Sequence, residues 1–143
     1  MQHIKTWISE SPEDTQNIAV ELSEIFKSGD TILLQGTLGA GKTFLVQEIC
    51  RKWHVVENVT SPTFTLIQNY SGDYTVNHID LYRIEKVEEL DQLGWEDMVY
   101  SGAVTFIEWP EKVENILEEF YKILIGQQGN KRYFKLFKKQ DRI

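Results

Sequence analysis

Residues 36–43, Gly36-Thr37-Leu38-Gly39-Ala40-Gly41-Lys42-Thr43, satisfy G-x-x-x-x-G-K-[ST] at every fixed position. Each fixed residue has its own chemistry. The glycines, with Ala40 between them, let backbone N–H groups wrap a phosphate. Lys42 reaches the β- and γ-phosphates, and the Thr43 hydroxyl is a Mg²⁺ ligand. The context agrees with the pattern. Residues 32–34, Ile-Leu-Leu, form a short unbroken apolar run of the kind a central strand needs when both its faces are covered. Residues 44–53 are patterned as a helix whose first N–H groups and dipole would point at the phosphate. Nucleotide binding is the chemistry this loop implies.

Such a loop works with a carboxylate at the end of a neighbouring strand, which orients the waters that complete Mg²⁺ coordination. Glu108 follows Val104, Phe106 and Ile107 and fits that place best. Asp80, closing Asn77-His78-Ile79, competes with it and could instead hold a water or act as base, although a hairpin strand is a less usual home for the metal acid. Ser61-Pro62-Thr63 lies where nucleotide switches present a hydroxyl to the γ-phosphate, but the same triplet is also an ordinary turn. Trp109 could stack near the site or belong to the core. His78 reads as a hairpin side chain, and the isolated His3 and His54 have no metal-ligand spacing.

The elements that must position these groups can be traced along the chain. Ser11 as N-cap, Pro12 at N1 and Glu13-Asp14 in the first turn predict a helix running to about Ser28-Gly29. Residues 64–70 and 74–79 alternate as a β-hairpin about Ser71-Gly72-Asp73, so the sheet is mixed. Residues 87–93 read as a short helix closed by Gly94, followed by another helical turn over residues 95–100. Residues 103–107 are a second buried strand. A helix is expected from about Pro110 to Phe120, then closing strands at residues 121–125 and 133–137. The fold class is α/β: a P-loop NTPase-like three-layer sandwich whose mixed sheet has a parallel core, an antiparallel hairpin and closing strands.

At 143 residues and a net charge of −7, the chain is expected to be one domain and not a protein that coats nucleic acid through a broad basic surface. Its cations are uneven. Lys131, Arg132, Lys135, Lys138, Lys139 and Arg142 face only Asp141 in the last segment. These either keep a terminal edge strand soluble or meet RNA or an acidic partner. Cys50 is the only cysteine and reads as a buried, inert thiol. No eighteen-residue apolar run and no secretory leader pattern occur, so a soluble, cytoplasmic protein without membrane partners is expected.

Four segments occur together: Leu38 to Thr43, Ser61-Pro62-Thr63-Phe64, His78-Ile79-Asp80-Leu81-Tyr82-Arg83, and Ile107-Glu108-Trp109-Pro110. In that order and spacing they resemble the TsaE (formerly YjeE) family of bacterial P-loop ATPases, required for threonylcarbamoyladenosine (t6A) modification of tRNA, over nearly the whole chain. The resemblance implies an enzyme that hydrolyses ATP to ADP and phosphate, slowly when alone. It would dock on the TsaB–TsaD heterodimer and support turnover while threonylcarbamoyl is transferred to adenosine 37 of tRNAs reading ANN codons. Contact with tRNA would be indirect or through the basic carboxy-terminal segment. It further implies that residues 39–44, including Phe44, hold the phosphates with Gly36 and Lys42. Thr43 and Glu108 would hold Mg²⁺, Asp80 would lie at the nucleotide, and Lys42, Glu108 and Asp80 would carry the catalysis. Ser61, Pro62 and Thr63 would form a switch-like loop. Trp109 would flank the site, Ser11 would approach the nucleotide and Arg132 would cover it. Two positions depart from the family pattern: Thr37 stands where an acid is expected, and Phe44 where a second hydroxyl often follows Thr43.

Other readings are a small-molecule kinase, a GTPase and a nucleotide-gated binding module. A kinase needs a substrate pocket and an arginine-bearing lid for which the chain has little room. Asp91-Gln92-Leu93-Gly94 resembles a D-x-x-G switch, but it falls in a predicted helix and no guanine-reading Asn-Lys-x-Asp exists. The gated module grades into the ATPase reading.

Overall fold

Thr31–Gln35 forms β2, the strand on which the rest of the sheet is arranged. In the computed structural model, which describes residues 1–37, 41–60 and 67–140, it runs parallel to both its neighbours. These are β5 (Val104–Glu108) and β6 (Phe120–Gln128). Ile32, Leu33 and Leu34 are fully buried, as a strand covered on both faces requires. Beyond β5 lies β4 (Thr75–Asp80), also parallel, and then β3 (Ile67–Ser71), its antiparallel hairpin partner. On the other side β7 (Lys131–Lys139) pairs antiparallel with β6, and β1 (Gln2–Ser9) forms the far edge. The order is β1-β7-β6-β2-β5-β4-β3. The α/β class and the mixed sheet expected from the sequence are present.

The side-chain alternation of β2 divides the core. Ile32 and Leu34 join a cluster with Leu22, Phe26, Leu45, Ile49 and Phe106, beneath helices α1 (Pro12–Ile25) and α2 (Lys42–Lys52). Leu33 faces the opposite cluster with Ile79, Leu90, Trp95 and Ile107, beneath the short helices α3 (Val87–Asp91) and α4 (Trp95–Val99). Three layers result. Among the described residues no helix is long and apolar enough to cross a membrane.

The structure differs from the sequence expectations in four places. β1 was not foreseen: only Trp7 and Ser9 point inward, Ile4 and Ile8 are exposed, and an irregularity in register between His3 and Lys5 breaks the alternation. The first helix stops at Ile25 because the chain turns there, the Asp30 carboxylate accepting from the Lys27 N–H at 2.7 Å. The helix expected over residues 110–120 is reduced to a 3₁₀ turn, Pro110–Lys112, followed by turns. The helical spacing is real, since Val113 and Leu117 are both buried and share a backbone hydrogen bond. So short a segment gains little from propagation once Phe120 is drawn into β6 and Lys122 of that strand pairs with Glu114 at 2.8 Å. Finally, the basic strand β7 is not an edge at all. It is paired on both sides, and its lysines lie over rings, Lys135 over Tyr133 and Lys138 over Tyr121, so edge protection is not their role.

Candidate phosphate-binding and carboxylate site

Parallel register sets the geometry of the site. Leu34 of β2 lies opposite Glu108 of β5, and Glu108 lies opposite Asp80 of β4. The carboxyl ends of three adjacent strands therefore finish level, the place where open α/β sheets bind ligands. Gly36 and Thr37 follow β2 directly. Gly41, in the left-handed region at φ 100°, is the N-cap of α2, so the backbone passes from loop to helix at a residue that no side chain would tolerate easily. Thr43 and Phe44 occupy the first turn of α2.

Lys42 begins that helix and is 5% exposed. Its Nζ donates to the Gly36 carbonyl at 2.7 Å and stands 3.5 Å from the centroid of the Trp109 ring. Burial pushes the ammonium below its ordinary pKa, while the charges of Glu108, Asp80 and Glu111 pull it the other way. Glu108 and Asp80 are themselves buried, at 2% and 8% exposure. A cation and two carboxylates thus share one shielded volume at the strand ends. Asp80 Oδ1 accepts from the Tyr82 N–H at 2.9 Å, which turns the chain immediately after β4. Trp109 has φ 58° and ψ 59°, a strained conformation for a tryptophan, costing about 1–2 kcal/mol. That conformation brings its ring to 4.9 Å from Tyr82 and against Lys42.

The cover of the site comes from the other end of the chain. An ideal Cβ built on Gly41 would lie 2.7 Å from Arg132 Nη1, which places the guanidinium directly over the loop. Beside it opens a cavity of about 420 Å³ lined by Ser11, Thr15, Phe44, Asn130 and Arg132, between the starts of α1 and α2 and the β6–β7 turn. Ser11 is held there by capping, its Oγ accepting from the Asp14 N–H at 3.1 Å.

Lys42, Glu108, Asp80 and Trp109 thus form one group, while Phe44, Ser11 and Arg132 line the adjoining cavity, with Gly41, under Arg132, between the two. Gly36 enters through its carbonyl. Gly39, Ala40 and Thr63, with Ser61 and Pro62, lie outside the described residues. A Thr43 hydroxyl and a Glu108 carboxylate are hard oxygen donors of the kind Mg²⁺ takes, so the donor set fits that ion. Sequence reasoning passed over His78. It is fully buried, and its Nε2 lies 2.5 Å from Glu108 Oε2. The signal was available in the period-two pattern: Val76, His78 and Asp80 share a face, and pairing β4 in parallel beside β5 puts that face next to Glu108.

Known proteins resemble this chain in sequence and in fold. The family described as threonylcarbamoyl adenosine biosynthesis protein TsaE matches residues 9–134. A Treponema pallidum protein named tRNA threonylcarbamoyladenosine biosynthesis protein TsaE is 36% identical over 79% of this chain and 84% of its own length. A Rickettsia conorii protein of the same name is 42% identical over 75% of this chain, but the match spans only 62% of that longer relative. The crystal structure of Bacillus subtilis YdiB superposes with a TM-score of 0.81 at 27% identity, over 97% of this chain and 88% of that one.

Proposed function

The chain belongs to the TsaE family, and from that membership we propose that it is the ATP-hydrolysing component of tRNA threonylcarbamoyladenosine biosynthesis. In this reading it binds ATP with Mg²⁺, acts in the cytoplasm on the TsaB–TsaD pair, and supports modification of adenosine 37 without performing the transfer. The observation that carries the reading is the convergence of Lys42, Asp80 and Glu108 at the ends of three adjacent parallel strands, next to the phosphate-binding loop.

The residues act by position and charge. Backbone N–H groups at the start of α2 face the phosphates, and the helix dipole adds to them. Lys42 leaves the Gly36 carbonyl and the Trp109 face for the β- and γ-phosphate oxygens. Its burial makes that exchange favourable, because an ammonium held by one carbonyl and a ring gains a full anionic partner. Thr43 and Glu108 would hold Mg²⁺, which neutralises charge on the β- and γ-phosphates when bound. Asp80, level with Glu108 on the neighbouring strand, is placed to orient the attacking water or accept its proton. Arg132 closes over Gly41, and the adjoining cavity receives the ribose and base between Ser11 and Phe44.

The test is phosphate release from ATP by the full chain, alone and with the TsaB–TsaD pair. Wild type should turn over slowly alone and faster with the pair, and both Lys42→Ala and Glu108→Ala should lose about 100-fold or more in kcat while remaining folded. Unchanged turnover in the Glu108 variant would remove its assigned role. Failure of the chain to bind the pair with or without ATP would overturn the partner reading.

A further inference from the structure

We propose that His78 is a positioning residue for Glu108, its Nε2–H holding carboxylate oxygen Oε2 so that Oε1 is the oxygen left for the metal ion or its water. This rests on the ATPase reading above but is observable without it. A glutamate at a strand end has three rotatable bonds, and fixing one rotamer costs side-chain entropy unless a neighbour holds it. His78 does so. The two side chains sit on the same sheet face, two residues out of register across β4 and β5, with a 2.5 Å contact between buried groups.

The direction of that bond follows from the partners. An ionised carboxylate only accepts, so Nε2 carries the proton. The remaining ring nitrogen, Nδ1, faces Tyr70 Oη at 3.4 Å, and the two rings lie 6.1 Å apart. Tyr70 Oη in turn approaches Gln68 Oε1 at 2.5 Å and the Thr60 carbonyl at 3.3 Å. Burial raises the phenol above its ordinary pKa, so it remains an O–H donor. A chain of polar contacts therefore runs from Thr60 and Gln68 through Tyr70 and His78 to the metal acid. Mg²⁺ takes oxygen ligands, so the His78 imidazole supports the carboxylate and does not ligate the ion itself.

Two variants and one spectrum test this. His78→Leu keeps the volume and removes the donor, whereas His78→Gln presents an amide N–H at similar reach. Loss of such a partner typically costs about 10–100-fold in metal affinity or activity. His78→Leu should therefore raise the half-saturating Mg²⁺ concentration and lower kcat by that factor, with KM for ATP within about threefold of wild type. His78→Gln should recover most of both. Nitrogen-15 spectra of the nucleotide-free protein should show the His78 proton on Nε2, with a signal that moves in Glu108→Ala. A proton confined to Nδ1 would overturn the proposal. So would equal defects in the Leu and Gln variants, or a His78→Leu defect that disappears below its melting range. If wild type shows no Mg²⁺-dependent hydrolysis, the functional reading falls while the spectrum still decides the His78–Glu108 bond.

Discussion

The Lys42 ammonium rests 3.5 Å from the centroid of the Trp109 ring while donating to the Gly36 carbonyl at 2.7 Å. The cation that would bind phosphate is therefore held by a π-face and by a carbonyl of its own loop. Trp109 reaches that place only through its left-handed backbone, which also sets its ring 4.9 Å from that of Tyr82.

Nucleotide binding should consequently be visible in Trp109. The other three tryptophans, Trp7, Trp53 and Trp95, are buried away from the loop in the two core clusters. Adding ADP or ATP withdraws Lys42 from the ring, so intrinsic fluorescence should change, and Trp109→Phe should abolish the change. Trp109→Ala removes a contact that Lys42 gives up on binding, so it should tighten ATP binding by about 2–30-fold, the range that a partly desolvated cation–π contact represents. A full fluorescence response in Trp109→Phe would show that the ring is not the reporter.

Removing the buried ammonium should stabilise the empty protein. Burial is the leading influence on Lys42 and lowers its pKa, so the folded state binds this proton less well than the unfolded chain. Stability from this group accordingly rises with pH in the window between the lowered folded value and the ordinary 10.5, and at neutral pH the charge is a cost. Lys42→Met should raise the nucleotide-free Tm by a few degrees, the shift that roughly 1 kcal/mol makes in a chain of this size, while abolishing ATP hydrolysis. A lower Tm in Lys42→Met would mean that its attraction to Glu108 and Asp80 outweighs desolvation.

Local signals made much of this site readable in the residues themselves. Gly36 to Thr43 announces a loop between a strand and a helix, both of which the structure has, and Ser11-Pro12-Glu13-Asp14 declares a helix start that the structure has at that place. Glu108 followed from an apolar run ending in an acid. What escaped depends on pairing across the sheet. His78 acquires meaning only when β4 lies parallel to β5, a relationship between residues thirty positions apart that no local spacing encodes. β1 escaped because an edge strand with one buried face and an irregular register carries almost no alternation. The failed helix after Pro110 had the right spacing and lost to long-range pairing of β6 with β2.

Cys50 should be chemically silent while the chain is folded. Burial pushes its thiol up to about 12 from 9.0, assisted by Glu57. At pH 8 the reactive thiolate is then about a thousandfold scarcer than in the unfolded chain. Labelling by a thiol reagent should follow global unfolding, with the same denaturant midpoint as circular dichroism. Rapid labelling under native conditions would show that α2 opens locally.

Arg132 should govern phosphate affinity through its place over Gly41. That place is dictated by the sheet: β7 pairs Arg132 with Ser9 on one side and Gln127 on the other, so the guanidinium is delivered to the loop by strands at both ends of the chain. A charged hydrogen bond to a phosphate is worth about 1.5–3 kcal/mol, so Arg132→Ala should weaken ATP and ADP binding by about 10–150-fold. Adenosine, which lacks the phosphates, should bind the variant and the wild type alike. The salt dependence of ATP binding should also fall in the variant, because one of the phosphate-facing charges is gone. Phe44→Thr separates the neighbouring contribution. It enlarges the cavity without touching the guanidinium, so any loss there should extend to adenosine. Equilibrium titrations with the three ligands at two salt concentrations check both expectations. An equal loss of ATP and adenosine in Arg132→Ala would reassign the arginine to the nucleoside cavity.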